Sequence, residues 1–170
     1  MSVKRLAIIS MLLALAIVLS IIESLIPVFV PGVKLGLANV IILIMLYEFK
    51  AKEAFLVDLF RIILVGLLRG TIFNPTFFMS FAGGMLSFVM MYLFSRIKIF
   101  SVIGVSVIGS VSHCVGQIIA AIILLSTDAV IYYLPFIAIL SLATGVISGL
   151  ICKLYLGRSI TGRFLPDNKN

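Results

Sequence analysis

The chain has 170 residues, of which 63% are hydrophobic and 11% are charged, and its net charge is +7. A soluble domain of this size could not bury so much apolar surface, because small domains leave much of their surface in water. The composition therefore excludes a soluble domain and indicates an integral membrane protein. In that class, a basic net charge reflects the orientation of membrane helices rather than binding to nucleic acid.

Six apolar segments follow one another along the chain. A helix needs about 20 apolar residues to cross a membrane, and fewer where it is buried within a bundle. The predicted helices are Leu6–Ile26, Leu35–Tyr47, Ala54–Leu68, Pro75–Phe94, Phe100–Leu125 and Val130–Tyr155. The second and third are short. We predict an all-α integral membrane protein with six transmembrane helices in one bundle, formed by residues 1–156, and a polar cytoplasmic tail, residues 157–170.

Lysine and arginine predict the orientation of this bundle. Ten of these residues fall at the N-terminus and in the segments after the second, fourth and sixth helices, whereas the opposite side holds Lys34 and Arg69. Cytoplasmic segments carry the excess of basic residues. The count therefore predicts that both termini lie in the cytoplasm and that the protein is a multi-pass protein of the plasma membrane.

The segment between the first two helices, Glu23 to Val40, concentrates prolines, glycines and polar residues in the sequence ESLIPVFVPGVKLGLANV. Because proline and glycine disfavour helix, we predict that the first helix ends near Ile26 and that a new helix begins at about Leu35. In the predicted topology, polar residues of this segment lie near the outer face with others from later helices. We predict a ligand pocket lined by Glu23, Lys34, Asn39, Arg69, Asn74, His113 and Gln117, although each residue alone is also compatible with a solvated helix end.

His113 and Gln117 lie four residues apart in the fifth helix and therefore share a face. The pair either faces a ligand or serves as internal packing. No second histidine and no cysteine pair accompanies them, so the sequence predicts no metal site. We expect no cofactor.

Two further pairs are candidates for a partner interface. Asp58 and Arg61, three apart on one helix, form either a structural ion pair or a contact that couples the chain to a partner. Ser10 and Ala14 give the first helix a small face that suits close approach of another helix. In the fifth and sixth helices, small residues at four-residue spacing, including Gly116, Gly145 and Gly149, favour packing inside the bundle.

Several segments together resemble a known family. They read ESLIP and PGVKLGLAN within 23–39, FRIILVGLLRGT at 60–71, AGG at 82–84, GSVSHCVGQ at 109–117 and YYLP at 132–135. In order and spacing they are similar to the heptaprenyl diphosphate synthase component I family, also called the Gx transporter family, from Leu6 to about Leu154.

The resemblance has two implications. The second family name and the six-helix pattern are similar to the substrate-binding S components of energy-coupling factor transporters, which bind a small solute and work with a transmembrane coupling subunit and two ABC ATPases. In those proteins a small face on the first helix, here Ser10 and Ala14, meets the coupling subunit, and the first external loop, here Pro27–Gly36, gates the site.

The first family name instead implies a non-catalytic membrane component of heptaprenyl diphosphate synthesis, in the menaquinone side-chain pathway. The three aspartates, Asp58, Asp128 and Asp167, are far apart, so the chain lacks the carboxylate clusters that would hold magnesium on a diphosphate. No nucleotide-binding loop GxxxxGK[ST] occurs either. We therefore predict a substrate-binding subunit without enzymatic activity of its own, with the synthase component as the alternative.

Overall fold

Helices account for nearly all of residues 3–25, 36–126 and 128–158, the parts of the chain that the computed structural model describes. The six α-helices are α1 (Val3–Leu25), α2 (Asn39–Glu48), α3 (Ala51–Leu68), α4 (Pro75–Ser95), α5 (Val102–Leu125) and α6 (Leu134–Arg158), and a short 3₁₀ helix, Asp128–Tyr133, precedes α6. The prediction of an all-α fold with six helices is confirmed. Residues of the predicted polar tail beyond Arg158 lie outside the described part.

Four helical segments are long and apolar enough to cross a membrane, namely Val3–Leu25, Pro75–Ser95, Val102–Leu125 and Ala129–Arg158. α2 is apolar but has only 10 residues. α3 has 18 residues and carries four charged side chains, which lower its hydropathy. The fold is therefore compatible with a multi-pass membrane protein that has four candidate spans in the described residues, while six crossings and cytoplasmic termini stay predictions.

α2 begins at Asn39, later than the predicted start at Leu35. Gly36 has a φ of +86°, in the left-handed region that glycine adopts without steric cost. Leu37 and Ala38 then form a turn, and the N–H of Asn39 donates to the carbonyl of Gly36. The helix cannot extend back through Gly36 because that backbone conformation is not helical.

α2 lies at the centre of the bundle and packs against all five other helices. Every residue from Asn39 to Met45 is buried. A helix that is apolar on all sides is stable only where it is surrounded by protein or lipid. The other long packing interfaces join α4 to α5 and α5 to α6, whereas α1 lies at the periphery, mainly against α2 and α3.

Glycines bring α5 close to its two neighbours. A Cβ atom on Gly116 of α5 would lie 2.8 Å from the carbonyl oxygen of Ala82 in α4. On the α6 side, a Cβ on Gly145 would lie 2.9 Å from the Cα of Val107, and Gly149 makes a similar approach. The predicted role of these small residues in close helix packing is confirmed.

Candidate functional site

A small internal cavity of about 20 Å³ is surrounded mainly by polar side chains of α1, α3, α4 and α5. We call it the polar cavity, and it is lined by Ser20, Glu23, Arg61, Ile62, Val65, Ser80 and His113. Its volume has room for about one water molecule. Polar and ionisable groups inside a membrane bundle are costly, and they mark sites for solutes or ions more often than other interior residues do.

Arg61 of α3 is the basic residue in the wall of the polar cavity. Its Nη2 lies 2.5 Å from Oδ1 of Asp58, and its Nη1 donates a 3.4 Å hydrogen bond to Oγ of Ser20 in α1. Arg61 is 4% exposed and Asp58 is 1% exposed. The Nε of Arg61 is buried and has no hydrogen-bond partner among the described residues. A donor of the guanidinium group is thus left for water or for a bound solute.

Glu23 connects the end of α1 to the residues before α2. Its Oε1 accepts hydrogen bonds from the backbone N–H groups of Gly36 and Leu37, the second at 3.1 Å. The side chain is almost completely buried. A carboxylate on backbone N–H groups is a charge-assisted interaction, stronger than a neutral hydrogen bond. It fixes the C-terminal end of the predicted gating loop, whose residues 27–35 lie outside the described part of the chain.

His113 and Gln117 project from successive turns of α5. The Nε2 of Gln117 lies 2.8 Å from Nε2 of His113, and both residues are buried. Gly83 of α4 makes room for them, because a Cβ there would lie 2.7 Å from Cγ of Gln117. His113 lines the polar cavity, and Gln117 contacts His113 from one turn further along α5 without lining the cavity itself.

Asn39 makes a separate contact at the start of α2. Its Nδ2 donates a 3.0 Å hydrogen bond to Oγ of Ser87 in α4, and a Cβ on Gly36 would lie 3.1 Å from the same nitrogen. Asn39 is not among the residues that line the polar cavity. It joins the start of α2 to α4.

The other predicted ligand residues are separated from this cluster. Arg69 and Asn74 are exposed in the turn between α3 and α4, where Gly70 has a φ of +63°. Lys34 lies outside the described residues. The structure thus brings Glu23, His113 and Gln117 together and leaves Arg69 and Asn74 on the surface. The sequence predicts that the buried residues and the exposed residues all lie near the outer face of the membrane. This predicted height does not show whether a side chain points into the bundle or lies on its surface.

The four predicted interface residues also divide into two groups. Ser10 and Ala14 are exposed on α1, beside exposed apolar residues such as Met11 and Leu15. Asp58 and Arg61 are buried and paired with each other. Of the two alternatives for that pair, the geometry favours an ion pair within the bundle, and Arg61 also belongs to the polar cavity.

Sequence reasoning missed Ser20 and Ser80 as cavity residues and did not assign Arg61 to the pocket. Ser20 and Ser80 are single small polar residues within apolar segments, and the sequence alone does not mark them as a site. In α3, the cavity residues Arg61, Ile62 and Val65 share one helix face. That spacing in the sequence is compatible with several neighbours, so only the packing of α1 against α3 reveals the site.

No group of three or more His, Cys, Asp and Glu side chains within the described ranges is arranged to hold a metal ion. No curated protein and no solved structure matches the chain. A sequence model described as heptaprenyl diphosphate synthase component I matches residues 12–155, which include every described residue of the polar cavity. The chain therefore belongs to the heptaprenyl diphosphate synthase component I family.

Proposed function

We propose that the protein is a membrane-embedded substrate-binding subunit for the uptake of a small solute. The observation that supports this proposal is the polar cavity, in which Glu23, Arg61 and His113 converge from three helices inside an apolar bundle. Side chains with such a desolvation cost are retained in membrane proteins mainly where they bind or transfer something. A transmembrane coupling subunit and ABC ATPases would supply the energy for transport.

The cavity has the volume of about one water, so a larger solute requires movement of the surrounding helices. The contact of Glu23 with the N–H groups of Gly36 and Leu37 lies at the junction of α1 and the loop before α2. Release of this contact would free the start of α2 from the end of α1, the two points that the predicted gating loop, Pro27–Gly36, connects. A solute that binds the open form more tightly would shift the population toward it.

Replacing His113 with alanine and Gln117 with leucine is expected to abolish solute binding and to leave the bundle folded. The two side chains form one hydrogen-bonded unit at the cavity wall. The measurement is native mass spectrometry of the full chain purified gently from its own membrane, with identification of co-purifying small molecules. Ser148→Ala, which removes a buried hydroxyl of α6 outside the polar cavity, is the matched control. Retention of the same solute by the double variant would contradict the assignment.

Replacing Ala14 with leucine is expected to release the coupling subunit, because a bulky side chain on the exposed face of α1 prevents close helix approach. The measurement is the subunit composition of the complex after affinity purification. Ala143→Leu makes the same change on an exposed position of α6 and should leave the complex intact. A complex that survives Ala14→Leu would place the interface elsewhere.

The second candidate function is a non-catalytic component of heptaprenyl diphosphate synthesis, and the family match favours it. In this role the bundle would anchor a soluble catalytic subunit at the membrane or receive its lipid product. The same purification distinguishes the two functions. A soluble prenyl synthase in the complex would support the second, and a water-soluble solute or an ATPase pair would support the first.

A further inference from the structure

A second region of the molecule, at the end of the bundle where α3 begins and α4 ends, combines an apolar groove with a basic recess. The groove has a volume of about 460 Å³ and is lined by Ala51, Lys52, Phe55, Leu56, Phe88 and Tyr92. The recess has a volume of about 480 Å³ and is lined by Leu46, Tyr47, Phe49, Lys50, Ala51, Ser95 and Arg96. This end of the bundle is the one predicted to face the cytoplasm.

The groove is shaped by aromatic rings and opens to the outside of the bundle. Phe88 and Tyr92 of α4 stack in parallel at 6.4 Å, and Phe55 of α3 meets Phe88 edge-on at 5.4 Å. Phe88 is buried, whereas Phe55 and Leu56 are exposed. A groove with these walls, in contact with the bilayer, suits a hydrocarbon chain and offers little to a polar solute.

The recess adjoins the groove but is lined by basic and polar side chains, whereas the groove is mainly apolar. Ala51 lines both, and Arg96 of the recess lies over the ring of Tyr92 in the groove, 5.0 Å from its centroid. Lys50 and Arg96 line the recess, Lys52 lines the groove, and none of the acidic side chains in the described part of the chain lines either. The nearby Glu53 is engaged by Arg5 and by the N–H of Lys50.

We propose that this composite site binds an anionic phospholipid of the surrounding bilayer, with an acyl chain in the groove and the phosphate between Lys50 and Arg96. The charge of the lining favours an anionic headgroup over a zwitterionic one, because three basic side chains line the site and the nearby Glu53 carboxylate is already engaged by Arg5 and by the N–H of Lys50. Arginine and lysine beside a membrane surface attract anionic lipids. The composite site shares no lining residue with the polar cavity. The proposal therefore does not depend on which of the two proposed functions is correct.

The chain contains no tryptophan, so Phe55→Trp introduces a single fluorescent reporter into the groove. The full chain in detergent micelles is titrated with brominated phosphatidylglycerol or brominated phosphatidylcholine, and quenching gives the relative affinities. We expect phosphatidylglycerol to bind at least about five-fold more tightly at this position. Leu142→Trp, on an exposed face of α6, reports general lipid contact and should show no preference.

The double substitution Lys50→Ala and Arg96→Ala in the Phe55→Trp background should remove the preference. The matched control removes the same charge from α6 by Lys153→Ala and Arg158→Ala and should keep it. Equal quenching by the two lipids at Phe55→Trp, or a preference that survives loss of Lys50 and Arg96, would overturn the proposal. Native mass spectrometry of the unsubstituted chain with equal amounts of both lipids tests the same preference without any tryptophan.

Discussion

Substitution of Arg61 by methionine is expected to lower the free energy of unfolding by about 3–5 kcal/mol, because it leaves the Asp58 carboxylate buried without its ion-pair partner. The two side chains are 2.5 Å apart, and Asp58 is 1% exposed. The hydrogen bond to Ser20 of α1 is lost at the same time. The ion pair lies within α3, whereas the lost hydrogen bond joins α3 to α1 and weakens the contact between these two helices.

The unfolding can be followed with a thiol-reactive dye, since Cys114 and Cys152 are free and completely buried. Labelling of these thiols in detergent then reports opening of the bundle as temperature rises. The control is the double variant Asp58→Asn with Arg61→Met, which removes both charges and should recover most of the loss. A double variant as unstable as Arg61→Met alone would show that the charge of Asp58 is not the cause.

Substitution of Glu23 by alanine is expected to cost about 2–3 kcal/mol, because the buried N–H groups of Gly36 and Leu37 lose a charged acceptor. Hydrogen exchange followed by mass spectrometry should show faster exchange in the peptide that contains these two amides. We expect the loss of stability to affect the residues around Gly36 and Leu37 first, because the contact joins the end of α1 to the start of α2.

Glu23→Gln keeps an oxygen acceptor in the same place and should cost only about 1 kcal/mol, the difference reflecting the charge. Ser24→Ala provides a control at the adjacent position, where the hydroxyl bonds only within α1, to the carbonyl of Ile21. If exchange at Gly36 and Leu37 is unchanged in Glu23→Ala, the carboxylate does not hold the entry to α2.

The sequence was sufficient to predict an all-α fold, the number of helices in the described residues and half of the helix ends to within one residue. Apolar length and the prolines and glycines between segments are local signals, and Gly36, Gly70 and Pro75 mark the junctions that the structure shows. The predicted start of α2, at Leu35, came before the observed start at Asn39 because the turn at Leu37 and Ala38 has an apolar sequence. Apolar composition does not distinguish such a turn from the first turn of a helix.

The site was predicted only in part, because depth in a bundle depends on which helices are neighbours. Glu23 and His113, which are far apart in the chain and were predicted to share one pocket, both line the polar cavity. Arg69 was grouped with them from its predicted height in the membrane, but it points from an exposed turn. Arg61 was not included in the predicted pocket. A possible ion pair with Asp58 on the same helix already accounted for a charged side chain in an apolar segment.

The central position of α2 has a consequence for the order in which the bundle assembles. Ten helical residues span about 15 Å, roughly half of the hydrocarbon thickness, so α2 is too short to be a stable span alone. Much of its surface is covered by α4, α5 and α6, which emerge from the ribosome later. Folding of the core is therefore completed only after synthesis of α6. A chain that stopped before this helix would leave part of the apolar surface of α2 open to other nascent chains.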